Sequence, residues 1–143
     1  MAEGQQQLQA LTAELQELKN EMKMLKESHR SHQAQYSEND MTLAELQRLG
    51  PEDAVFKQIG PALVKQDREE ALDTVKKRLD FIKAKLDDLE KRILANQKQY
   101  DAKRGAAVAL QQEMVAVQQR LQQMQLNAGQ QQPPPQQPVQ KLE

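Results

Sequence analysis

The stretch Ala54-Val-Phe-Lys-Gln-Ile-Gly-Pro-Ala-Leu-Val-Lys-Gln66 interrupts a chain that otherwise reads as helix. It is short, rich in β-branched and aromatic residues, and split by Gly60-Pro61, which is the signature of a β-hairpin over 54–66. A proline in the second turn position argues against a simple two-residue turn, so the register stays open at this stage. Apolar side chains fall on both parities, with Val55 and Ile59 on one and Phe56 on the other. Both faces therefore need cover, and an isolated two-stranded hairpin is marginal in water. Val55, Phe56, Ile59, Leu63 and Val64 are the expected assembly surface.

Upstream, Leu8, Leu11, Leu15, Leu18, Met22 and Leu25 repeat at 3-4 spacing, and the same count continues through His29, His32, Tyr36, Asn39, Leu43 and Leu46. That is a coiled-coil seam whose middle turns polar without losing register. Leu49-Gly50-Pro51 should stop the helix, with Gly50 in a left-handed cap and Pro51 unable to continue. The first helix is expected over 5–49, roughly 65 Å long.

Downstream, the pattern returns at Leu72, Val75, Leu79, Ile82, Leu86, Leu89 and Ile93. It runs through Asn96, Tyr100, Lys103 and Ala107 to Leu110, Met114, Val117, Leu121 and Met124. Asp67 is a suitable N-cap, with Glu69 and Glu70 at the positive end of the helix dipole. The second helix is expected over 68–128, about 90 Å. The Gln/Pro-rich segment 129–143 cannot bury enough surface to offset its ordering entropy and reads as a disordered tail.

Composition agrees with this reading. Of 143 residues, 29% are charged and only four are aromatic, too few for an ordinary enzyme core. The net charge of −1 gives no global pull toward nucleic acid or an anionic membrane. No stretch is apolar enough for a membrane span, and the N-terminus lacks the features of a secretion signal. The absence of cysteine excludes disulfides, thiol chemistry and cysteine metal sites. The expectation is a cytoplasmic chain.

Two seams joined by a hairpin fold most simply back on themselves as an antiparallel coiled coil. The fold class is thus mainly α, with one β-hairpin between the helices; 1–128 form one domain. Pairing Leu46 with Leu72 puts Leu8 opposite Leu110. Met114, Val117, Leu121 and Met124 then lack a partner on the first helix, leaving an apolar stripe near Leu8 and Leu11. Exposed apolar stripes mark interaction sites, and methionine makes them adaptable.

Glu38-Asn-Asp-Met-Thr-Leu-Ala-Glu-Leu46, Val55 to Gln66, and Val75-Lys-Lys-Arg-Leu-Asp-Phe-Ile82 together resemble the β-type subunits of prefoldin, as does the order helix, hairpin, helix. The resemblance covers about residues 5–128 and leaves the tail aside. It implies a heterohexamer, in which this chain joins two α-type and three further β-type subunits through hairpins that merge into β-barrels. It also implies an ATP-independent chaperone that binds unfolded polypeptides, actin and tubulin among them, and hands them to the cytosolic chaperonin. On that reading the client-binding surface is the distal set Leu8, Leu11, Met114, Val117, Leu121 and Met124.

Other features have plainer readings. His29 and His32 could face one metal ion, but no cysteine or carboxylate completes a set, and both sit at seam positions where polar groups fix register. Asn39, Asn96 and Lys103 read likewise. The basic run Lys76-Lys77-Arg78, near Arg68, is interrupted by acids and suits a solvated face or an acidic partner better than nucleic acid. Phe81 lies off the seam and is expected to pack against a neighbouring subunit near the hairpin. No catalytic set, phosphate loop or cofactor motif is visible. The competing class is a structural coiled-coil spacer or tether, which would gain nothing from a two-faced apolar hairpin.

Overall fold

The computed structural model describes residues 2–131, 133–136 and 138. Its elements run α1 (Ala2–Arg48), β1 (Val55–Ile59), β2 (Ala62–Gln66) and α2 (Arg68–Gln130). Two compact units divide the chain: residues 15–102, and residues 1–14 with 103–143.

In the 15–102 unit the seam is the core. Leu18 and Leu25 of α1 and Leu72, Val75, Leu79, Ile82, Leu86 and Leu89 of α2 are buried, and between them only Met22 and Thr74 are half-buried while the rest face solvent. A side chain recurring every 3.5 residues stays on one side of an α-helix, so the heptad pattern converts directly into this stripe. The helices are antiparallel, as His29 against Glu90 and Lys19 over Tyr100 show. Polar seam residues are accommodated rather than avoided. Asn96 is only 5% exposed and its amide donates to the Leu18 carbonyl at 3.3 Å, while its Oδ1 has no partner. His32 Nδ1 donates to the Ser28 carbonyl at 2.7 Å.

In the second unit, Leu8 and Leu11 of α1 and Lys103, Ala107, Leu110 and Met114 of α2 are half-buried. The register expected from Leu46 and Leu72 reappears here, because the Met114 side chain lies over Gly4, its sulfur 3.3 Å from the position a Cβ there would take. The Lys103 ammonium reaches the Glu14 carboxylate. Both seam substitutions, a glycine for a large residue and a lysine for a leucine, are matched by what stands opposite.

Helix boundaries shift by up to three residues from the sequence expectation. Gly50 is not left-handed; Gly60 is the glycine with positive φ. The end of α1 is instead closed by a turn in which the Asp53 amide donates to the Gly50 carbonyl at 3.1 Å and the Gly50 amide to Asp53 Oδ2 at 2.8 Å. Pro51 in the second position of that turn has its φ already set. Gly129 lies inside α2, which ends shortly before Pro133, a residue that disfavours helix just ahead of itself. Of the expected tail, 133–136 and 138 have no regular secondary structure, and 132, 137 and 139–143 lie outside the described residues.

Candidate functional site

The hairpin has a fixed register. Val55 pairs with Gln66, Phe56 with Lys65, Lys57 with Val64, Gln58 with Leu63 and Ile59 with Ala62, leaving Gly60 and Pro61 as a two-residue turn. The doubt raised by the proline is thereby resolved. A type II′ turn needs positive φ only at its first central position, and Gly60 supplies +59° there. The second position takes negative φ, which is where proline is held. A type I′ turn would have excluded it.

Alternation then sorts the side chains. Val55, Ile59, Ala62 and Val64 share one face, and Phe56 and Leu63 share the other. Phe56, Ile59, Leu63 and Val64 are exposed, and Val55 is half-buried at the hairpin base. The ribbon has two strands, so each strand also keeps one edge of backbone donors and acceptors unpaired. Five large apolar side chains and two open edges on a twelve-residue ribbon form a surface made to be covered by other chains.

The hairpin is tied to the helices by a residue whose role is not evident from sequence. Arg68, at the start of α2, donates from Nε to the Leu46 carbonyl at 3.0 Å and from Nη2 to the Gln47 carbonyl at 3.1 Å. It adds a second donor to the Leu46 carbonyl, which also accepts from the Leu49 amide at 3.4 Å, and satisfies the Gln47 carbonyl at the end of α1. The usable signal was a cation directly after a helix N-cap, close in space to the end of the first helix once the hairpin turns the chain back. Arg68 is thus occupied, and the basic run nearby is thinned further by the pairing of Lys77 with Asp73 at 3.0 Å.

A family model described as prefoldin subunit matches residues 9–113. The chain belongs to the prefoldin subunit family. It is similar to the probable prefoldin subunit 6 of Drosophila melanogaster, 47% identical over 47 residues that make up 33% of this chain and 38% of that protein. It is likewise similar to prefoldin subunit 6 of Mus musculus and of Homo sapiens, each 37% identical over 75 residues, or 52% of this chain and 59% and 58% of theirs. Each match takes in less than two thirds of the relative's length. The fold is that of the prefoldin beta subunit from Thermococcus strain KS-1, with a TM-score of 0.69 at 18% identity over 72% of this chain and 90% of that one. The beta2 subunit of the same strain gives 0.56 at 16% identity, covering 64% and 97%. The helix–hairpin–helix architecture is therefore that of this family.

The distal residues fare differently from one another. Val117, Leu121 and Met124 of this prefoldin chain are exposed, and Val115 and Leu126 join them. Met114 does not belong with the uncovered set, because it packs over Gly4, which stands one four-residue step before Leu8 in the same heptad count. Leu8 and Leu11 are half-buried. His29 contacts Glu90 at 3.3 Å and His32 is held by Ser28. Among the described residues no three metal-binding side chains gather, and no helix is long and apolar enough to cross a membrane.

Proposed function

We propose that this prefoldin-family chain is a β-type subunit of a heterohexameric chaperone, joined to two α-type and three further β-type subunits through its hairpin. The observation that carries the reading is the hairpin itself, apolar on both faces and exposed, with both strand edges open. Covering each of its large apolar side chains is worth roughly 1.5–3 kcal/mol before ordering costs. A spacer or tether has no use for such a ribbon, since a plain turn joins two helices as well.

The distal apolar side chains are the proposed client surface, with Val117, Leu121 and Met124 at its centre and Met114, Leu8 and Leu11 at its covered margin. An unfolded polypeptide offers scattered apolar segments of no fixed shape, which an exposed and adaptable stripe can take. One stripe binds weakly. Several carried by one assembly raise the effective concentration, and avidity adds about 10²–10⁴ without better contacts. Detachment one contact at a time then needs no nucleotide. Actin and tubulin are the proposed clients, the cytosolic chaperonin the proposed recipient, and the cytoplasm the proposed setting.

The test is aggregation of chemically denatured actin on dilution, with the reconstituted hexamer present and ATP absent. Suppression by the hexamer, undiminished without nucleotide, supports the reading. Aggregation at the rate seen with no chaperone contradicts it.

A further inference from the structure

The chain has two phenylalanines and two tyrosines, and their placement is the reverse of what polarity suggests. Tyr36 and Tyr100 are half-buried in the seam, whereas Phe56 is 56% and Phe81 64% exposed. Both phenylalanines border one groove beside the hairpin. Two adjoining depressions, of about 510 and 230 Å³, share Thr74 and Arg78 in their walls; Phe81 lines the larger and Phe56 the smaller. The walls carry Lys57, Lys77 and Arg78 and no carboxylate. Lys77 is engaged by Asp73, but Lys57 and Arg78 have no ion-pair partner among the described residues. Lys85 lies 5.6 Å from the centre of the Phe81 ring, adding to the positive field at that end. Exposed aromatic rings around an unpaired arginine are the composition of an interface anchor.

The position of the groove indicates the chemistry of its occupant. Val55, Phe56 and Lys57 belong both to its wall and to β1, so a neighbour covering the hairpin arrives beside it. In a helix–hairpin–helix subunit the chain leaves its second strand through a strand-to-helix junction. The cap and first turn of a helix favour Asp and Glu, for the cap hydrogen bond and for the dipole. This chain obeys the rule itself, with Asp67, Glu69 and Glu70 coming directly after β2.

We infer that the groove between Phe56 and Phe81 receives the acidic strand-to-helix junction of an adjacent subunit, seating an apolar residue between the rings and carboxylates on Arg78 and Lys57. The inference rests on the proposed hairpin-mediated assembly and extends it from the hairpin to the helix flank. Assembly is then partly electrostatic.

The test uses the full chain reconstituted with its partner subunits and a photoreactive phenylalanine analogue at position 81. The expected product is a crosslink to an acid-bearing segment just after a hairpin strand of one neighbour. Arg78→Glu should weaken assembly about tenfold or more, the scale of a lost interface anchor, with helix content unchanged, and Arg78→Lys should keep most of it. Crosslinks only to a client polypeptide, or none in the intact complex, overturn the inference, as does an Arg78→Glu chain that assembles like wild type. If Phe56→Asp prevents assembly while Arg78→Glu does not, the hairpin reading stands and the groove inference alone falls. A wild-type chain that stays single among its partners removes both.

Discussion

The Arg68 guanidinium closes the last turn of α1 from the first residue of α2, donating to the Leu46 carbonyl at 3.0 Å. One side chain thereby fixes where both helices meet the hairpin. Replacing it by Gln should lose both carbonyl contacts and cost about 1–2 kcal/mol, the lower range for a charged hydrogen bond because the site is partly exposed. Urea unfolding followed by circular dichroism checks this, through a lower midpoint at an unchanged slope.

Asn96 is the polar layer of the seam, buried with Oδ1 unpartnered. Asn96→Leu should raise stability by about 1–2 kcal/mol, since it removes an unsatisfied acceptor from an apolar interface. Leu86→Ala, by contrast, should cost about 2–5 kcal/mol. The gain at Asn96 should come with looser pairing, because a buried asparagine restricts coiled-coil register. Size-exclusion chromatography of the variant is expected to show additional self-associated species.

The turn is a second point of control. Gly60 has a φ of +59°, a region that a β-branched residue occupies only under strain. Gly60→Val should disorder the hairpin and lower assembly while leaving the helical signal nearly unchanged. Far-ultraviolet circular dichroism beside native mass spectrometry separates the two effects; assembly at wild-type levels would show that the turn matters less than the strands it joins.

Most of the fold was legible in the sequence because a heptad is a direct statement about which side of a helix is covered. Every seam position from Leu8 to Leu46 and from Leu72 to Met114 is buried or half-buried. What was not legible depends on partners brought together from a distance. The Arg68 contacts join residues more than twenty apart in the chain, and Gly4, though one four-residue step before Leu8, carries no side chain to show that Met114 covers it. The turn was misjudged for a different reason: proline was weighed without the sign of φ that its glycine neighbour permits. The aromatic groove escaped because the sequence assigns Phe56 and Phe81 each a subunit contact, but nothing in it shows that the strand and the helix bring the two to one groove.

Client capture should depend on α2 beyond its contact with Gly4. Deleting 115–143 leaves Met114 in place and should spare assembly, yet weaken the capture of denatured actin severalfold or more. Deleting 131–143 should do much less. Light scattering during dilution of the client compares the two, and undiminished capture by the 115–143 deletion would move the binding surface to other faces of the helices.

The central claim is that the hairpin builds a six-chain complex in which this chain appears once. Native mass spectrometry of the complex isolated through this chain tests it most directly. The account predicts one mass equal to six helix–hairpin–helix chains with a single copy of this one, and no such mass when Phe56 is replaced by Asp. A folded single chain at low micromolar concentration in the presence of its partners, or a Phe56→Asp complex of unchanged mass, would contradict it.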